Sequence, residues 1–287
     1  MVPATTGIVA LFVAAFFYGS QSIGSRLVGM EFGPFLSTAF RAAVIVLILM
    51  WFVRWQQIRP ADWKWFGLRA LGNVVATTFI FIAVNSMPVG AALFSFYAGL
   101  ILSGGIFGVV FYREHITTVK LISLACTTVG LFLVYSAQSQ MAFNWYVVIA
   151  VLGGVGGSVW TVFSRPITKS YSLVQLALVD GALMAVVAFG LACLLHEPIH
   201  AVPLDSHLWA VVYLGFTQVV TGQLVPYGFK SVDAQIGSTI LLNDSVFGMI
   251  LVYLIFHEAT PPLVILGGVC IFCSSLIPAL LERRHRS

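Results

Sequence analysis

The sequence predicts an all-α polytopic membrane protein, with ten transmembrane helices forming two inverted five-helix repeats. Three observations carry this. First, 60% of the 287 residues are hydrophobic and only 8% are charged, against roughly 25% charged in a soluble domain. A soluble fold of this length needs a wide polar surface, which so few charges cannot supply. A soluble enzyme, a disulfide scaffold and a disordered chain are thereby excluded. Second, the apolar residues fall into ten runs of about the 20 residues that a helix needs to cross a bilayer. Third, the positive charges collect on one side of those runs, and short strings recur in the same order in both halves.

The first run, 7–28, is longer than a signal-peptide core and lacks a charged leader, so it is read as a span and not a cleaved signal. Next come 33–53, which contains Arg41, and 65–84, with a basic link between them. Run 89–111 follows the short polar link Asn85-Ser86-Met87-Pro88, and 118–136 completes the first half. Runs 145–167, 173–195, 208–227, 234–256 and 262–281 make up the second. No link is long enough to be a domain, so the chain is one membrane unit with repeats at 1–140 and 141–287. The four cysteines (Cys126, Cys193, Cys270 and Cys273) all lie in apolar runs, where a disulfide framework is not expected.

Lys and Arg set the direction. Arg54, Arg59, Lys64 and Arg69 are assigned between spans two and three, Arg113 and Lys120 between four and five, and Arg165 and Lys169 between six and seven. Lys230 follows span eight, and Arg283, Arg284 and Arg286 follow span ten. With ten spans, these twelve of the 14 basic residues share one side. Both termini are therefore expected in the cytoplasm, in a multi-pass inner (plasma) membrane protein. The short loops and tails point to a bacterium.

The halves match in sequence. Ser22-Ile23-Gly24-Ser25-Arg26 pairs with Thr161-Val162-Phe163-Ser164-Arg165, Leu71-Gly72 with Leu214-Gly215, and Tyr112-Arg113-Glu114 with Phe256-His257-Glu258. The pairs keep their order at offsets of 139 to 144. Five helices per half is an odd number, so the second half must enter from the opposite face. Inverted repeats of this kind in secondary transporters place a substrate site near mid-membrane between the repeats.

With Arg41 inside span two, and Glu114 and Glu258 just after spans four and nine, the whole chain resembles the ten-helix, EamA-like branch of the drug/metabolite transporter superfamily. That family often carries Glu-Pro early in spans four and nine. Here the matching places hold Leu100-Ile101 and Asp244-Ser245, without the prolines. The resemblance implies export or exchange of small metabolites, commonly amino acids and related compounds, either proton-driven or passive. It also implies a cavity lined by spans one, three, four, six, eight and nine.

An ionised group in mid-span costs about 2.5–3.5 kcal/mol on insertion scales, so it needs a partner, a cavity or a proton. Arg41, Asp180 and Asp244 qualify. Arg41 and Asp180 sit at matching repeat positions, each roughly 12 Å deep at about 1.5 Å per residue, but from opposite surfaces. A structural role is favoured for both, with charge coupling as the alternative. Asp244, ten residues into span nine between Asn243 and Ser245, is expected to bind a substrate amine or to hold and release a proton. Hydrogen bonding to a neighbouring helix is the equal alternative.

Helical spacing groups Ala14, Tyr18, Gln21 and Ser25 on span one, and their mates Gly153, Gly157, Trp160 and Ser164 on span six. Asn73 and Thr77 on span three, Tyr97 on span four and Gln218 on span eight add amides, hydroxyls and an aromatic. Together with Asn243, they are the expected binding residues for a zwitterion with an organic side chain. Interhelical bonding is the simpler role for any single one. The glycine pairs Gly104/Gly108 and Gly153/Gly157 are expected to pack helices.

His196-Glu197-Pro198-Ile199-His200 spells the zinc-protease pattern H-E-x-x-H. Pro198 disrupts the single helix face which that chemistry needs. A membrane metalloenzyme using His196, Glu197 and His200 is the remote alternative, and a passive facilitator or channel the nearer one. The sequence thus points to a secondary transporter exporting a small polar organic metabolite, an amino acid or its derivative, by alternating access. The expected partners are that substrate, the lipid bilayer and protons. No cofactor, metal or nucleic acid is expected, and the unit is a monomer or homodimer.

Overall fold

A computed structural model describes residues 4–29, 32–113, 118–138, 144–164, 166–168, 170–197, 206–228, 240–258 and 260–286. Among them are ten α-helices: α1 (Ala4–Val28), α2 (Pro34–Leu49), α3 (Trp63–Ser86), α4 (Val89–Tyr112), α5 (Thr118–Gln138), α6 (Trp145–Val162), α7 (Leu173–Leu194), α8 (Ser206–Gly228), α9 (Asn243–Phe256) and α10 (Pro262–Arg286). A 3-10 turn, Pro60–Asp62, leads into α3. Six helices (α1, α3, α4, α6, α7 and α8) are long and apolar enough to cross a membrane, and α2 and α9 are shorter apolar helices. Large apolar side chains face outward along them, such as Val186 at 71% and Leu254 at 62% exposure. Such a surface would aggregate in water, but it suits a hydrocarbon solvent.

Four boundaries differ from the sequence reading, each for a physical reason. Helix α2 stops at Leu49, not 53. Trp51, Phe52 and Trp55 beyond it are exposed, as aromatics are at a membrane interface. Helix α6 stops at Val162, not 167. Pro166 disfavours helical geometry in the residue before it, and the Ser164 hydroxyl donates back to the Trp160 carbonyl. Helix α3 begins at Trp63, not 65; Arg69, counted with the basic link although it already falls within the run 65–84, is buried inside the helix. In the expected span 234–256, α9 runs from Asn243, with Asp244 in its first turn; residues 234–239 lie outside the described residues.

The packing obeys a pseudo-twofold. Helix α1 packs on α8 as α6 packs on α3, α1 on α9 as α6 on α4, and α2 on α8 as α7 on α3. Each of α2–α7 and α5–α10 is a pair of repeat mates packed on each other. The contacts also interleave the halves, because α6 is wedged between α3 and α4. Glycine makes this possible. A Cβ on Gly156 would lie 2.8 Å from the Ala76 nitrogen and the Gly72 oxygen, and one on Gly154 would strike the Phe96 carbonyl. Close backbone approach at small residues is how membrane helices gain contact without a hydrophobic drive. Gly153 and Gly157 pack against Phe79, Phe96 and Leu100, in line with the packing expectation.

The matched strings at the ends of α4 and α9 share one geometry. Arg113 and His257 both close their helices in the left-handed region, with φ of 52° and 54°. Glu258 then turns back. Its Oε1 accepts from the Val89 N–H at 2.7 Å, and its Oε2 accepts from Arg26 at 2.7 Å. Arg26 also donates to the Met87 carbonyl. The ends of α1, α3, α4 and α9 are thus tied together. Glu114, the repeat mate of Glu258, lies outside the described residues.

Candidate functional site

Two polar clusters sit inside the helix bundle. The first is built on α3. Arg69, Asn73 and Thr77 recur every four residues and share one helix face. Across from them, Asp180 of α7 is 4% exposed. Its Oδ2 accepts from Asn73 Nδ2 at 3.1 Å and from the Trp160 indole N–H at 2.9 Å, and it lies 3.4 Å from Arg69 Nε. Arg69 also donates to Ser164 at 3.0 Å, and its guanidinium stacks over the Trp160 ring. Thr77 donates to the Asn73 amide oxygen. Asp180 Oδ1 is buried and has no hydrogen-bond partner among the described residues.

The second cluster contains Arg41 on α2. Its guanidinium donates to the amide oxygens of Gln21 (2.5 Å) on α1 and Gln218 on α8. The twofold relates this cluster to the first, with charges and donors exchanged. Arg41, a cation, is held by amide acceptors from α1 and α8. Its mate Asp180, an anion, is held by donors from α6 and α3. Close by, the Tyr97 hydroxyl on α4 donates to Asp244 Oδ2, and Ser245 donates to Asp244 Oδ1 at 3.1 Å. Tyr18 shares a hydrogen bond with Thr221. Asn243 donates to the Ile240 carbonyl, at the end of its own helix.

Between the two clusters lies a cavity of ≈ 310 Å³, within the range of small-ligand pockets. Tyr18, Asn73, Trp160, Asp180 and Gln218 line it, and so do Arg69 and Thr221. It extends along α8 past Pro226 and reaches Thr168, exposed in the α6–α7 turn. Pro226 has no N–H for the Gly222 carbonyl one turn back, and both residues are part of the wall. The described lining comes from α1, α2, α3, α6, α7 and α8. The resemblance had implied α4 and α9 in place of α2 and α7. The reason is close packing: Gly19 meets the Asp244 carbonyl and Gly248 of α9, and Gly99 meets the Val151 carbonyl of α6. Tyr97 and Asp244 bond to each other beside this cavity and are not among its lining residues.

The structure therefore splits the expected residues. Tyr18, Asn73, Trp160, Gln218 and Asp180 meet around one cavity, with Thr77 bonded just behind Asn73. Gln21 and Arg41 adjoin it through Gln218, and Tyr97 and Asp244 form a neighbouring pair. Arg69 was missed as a cavity residue because it was counted with the basic link. Its position one turn before Asn73 and two before Thr77 was the available signal. Arg69 is buried as well as Arg41, so a second basic residue lies inside the bundle.

The H-E-x-x-H string takes another role at its centre. Both Glu197 oxygens accept backbone N–H groups at the start of α2, Phe35 at 3.1 Å and Leu36 at 2.8 Å. This is an acidic cap on orphan donors of a helix N-terminus. His200 lies outside the described residues, and no group of three metal-ligating side chains occurs among the described ones.

Ten helices in two interleaved repeats, with an internal charged cavity and an apolar exterior, define a multi-pass membrane protein of the inverted-repeat transporter class. The EamA-like transporter family model matches residues 5–136 and 144–279, nearly the whole chain in two halves, and the chain belongs to that family. A solved structure titled only "Crystal structure of protein" shares the fold, with a TM-score of 0.64 and 20% identity over 99% of each chain. No curated protein sequence matches.

Proposed function

We propose that this transporter is a secondary carrier that exports a small polar organic metabolite, an amino acid or a compound derived from one, by alternating access. The observation that carries the reading is the cavity: charged and amide groups converge in a space at the interface of two inverted repeats. The cavity reaches one end of the bundle, at Thr168. The other end is tied by Arg26 and Glu258. The basic residues of the sequence put the Thr168 end in the cytoplasm, so this arrangement corresponds to an inward-facing carrier in a bacterial inner membrane, with both termini inside. A rocking of the halves would exchange which end is tied. With Asp244 deprotonated, the formal charges of Arg41, Arg69, Asp180 and Asp244 cancel as a set, which favours a zwitterion or neutral solute over a phosphate. Asp244, paired with Tyr97 beside the cavity, is the group proposed to carry a proton.

The test is countertransport in proteoliposomes. A carrier gives saturable uptake that is accelerated by unlabelled substrate on the far side, and its turnover lies far below channel rates. Linear, channel-like flux without countertransport refutes the reading.

A further inference from the structure

Asp180 has an unusual division of labour. Two donors bond Oδ2 and the Arg69 Nε stands 3.4 Å from it, while Oδ1 has no donor among the described residues, although the side chain is buried and lines the cavity. A buried carboxylate oxygen without a donor is costly to leave in that state. Arg69 Nε, 3.4 Å from Oδ2, likewise has no hydrogen-bond partner. The pair is thus close enough to interact but does not satisfy itself. Both residues line the same cavity, and the two unpartnered atoms lie covered in its wall. Ile45, Leu49, Leu176, Val219 and Val225 give the cavity an apolar stretch of wall beside its polar residues.

We propose that Asp180 and Arg69 are the recognition pair for an α-amino-acid zwitterion with an apolar side chain. The ammonium group donates to Asp180 Oδ1, the carboxylate lies against the Arg69 guanidinium, and the side chain rests on the apolar wall. Adjacent opposite charges on the protein match adjacent opposite charges on the ligand. Placing both ligand charges together leaves the net charge of the cavity unchanged, whereas an amine or an acid alone would leave one charge uncompensated in a low-dielectric space. The assignment moves amine recognition from Asp244 to Asp180. It rests on the carrier reading for its biological sense, but the binding it describes can be measured without transport.

The experiment is titration of the full-length protein in nanodiscs with three matched probes: leucine, 3-methylbutylamine (no carboxylate) and N-acetylleucine (no ammonium). Leucine should bind saturably, and each partial probe at least tenfold more weakly. Asp180→Asn should weaken leucine at least tenfold, and Asp180→Glu should recover part of the loss. Because Asp180→Asn leaves Arg69 unpaired and could impair folding, the double variant Arg69→Gln/Asp180→Asn removes the pair together. It should stay folded by thermal unfolding and still fail to bind leucine. Leucine affinity within threefold of the parent in the folded double variant overturns the assignment, as does equal binding of leucine and N-acetylleucine or no leucine binding at all. Countertransport of any other solute by the parent would then show that the carrier reading survives and this pair assignment alone has failed.

Discussion

Replacing Gly156 by alanine is the most direct probe of how α6 is held and of what that holding does for the cavity. The added Cβ would sit 2.8 Å from both the Ala76 nitrogen and the Gly72 oxygen, while ordinary contact begins at 3.4 Å. Both obstacles are backbone, so no rotamer change relieves them, and α3 and α6 must part by about 0.6 Å. Overpacking of this kind costs about 1–3 kcal/mol. Helix α3 also carries Arg69 and Asn73 on either side of Gly72. If Asn73 moves with its helix, its 3.1 Å bond to Asp180 stretches to about 3.7 Å and no longer counts as a hydrogen bond. One lost interhelical bond adds about 0.6 kcal/mol. The unfolding temperature should fall by several degrees, at roughly 2–4 °C per kcal/mol for a chain of 150–250 residues. Gly190→Ala is the control, since nothing lies within 4 Å of its added Cβ and it faces outward on α7. There the gain in helix propensity, at most about 1 kcal/mol, should leave stability equal or higher. The assay is thermal unfolding of both variants in the same detergent, followed by tryptophan fluorescence to follow Trp160. If Gly156→Ala unfolds at or above the parent temperature, the backbone-contact argument is wrong.

Three further outcomes follow from the same geometry. Asp244→Asn keeps the shape and the bond with Tyr97, so stability should change by less than about 1 kcal/mol, while transport is abolished or uncoupled from the proton gradient; unchanged flux and pH profile in proteoliposomes would remove Asp244 from the mechanism. Gly222→Leu projects into the cavity with nothing within 4 Å of its Cβ, so the protein should fold normally and lose at least tenfold in flux; full flux would show that the substrate passes elsewhere. Glu258→Gln keeps an acceptor for the Val89 N–H but removes the charge opposite Arg26. A partly exposed pair is worth about 0.2–1 kcal/mol, so hydrogen exchange across residues 85–92 should rise by up to roughly fivefold, and no rise would mean that the tie is not part of the closure.

The sequence by itself determined the class, the ten helices and the repeat. Those follow from properties that a single strand of residues carries: runs of apolar side chains long enough for a bilayer, an odd number of them per half, and strings such as Tyr112-Arg113-Glu114 and Phe256-His257-Glu258 that recur in order. Even the left-handed ends of α4 and α9 echo those strings. Helical spacing also brought Tyr18 forward, its repeat mate brought Trp160, and Asn73 and Thr77 stood out as polar residues of span three. What spacing could not say is which helix stands opposite. That Asp180 meets Arg69 and Asn73 while Arg41 meets Gln21 and Gln218 depends on how closely α6 fits between α3 and α4. That fit is set by whether glycine carbonyls and nitrogens touch across the crossing. For the same reason only the tertiary structure paired Tyr97 with Asp244, brought α2 and α7 into the cavity wall, and gave Glu197 the start of α2. Local chemistry along a helix fixes its faces, and the contacts that choose its neighbours are summed over the whole bundle.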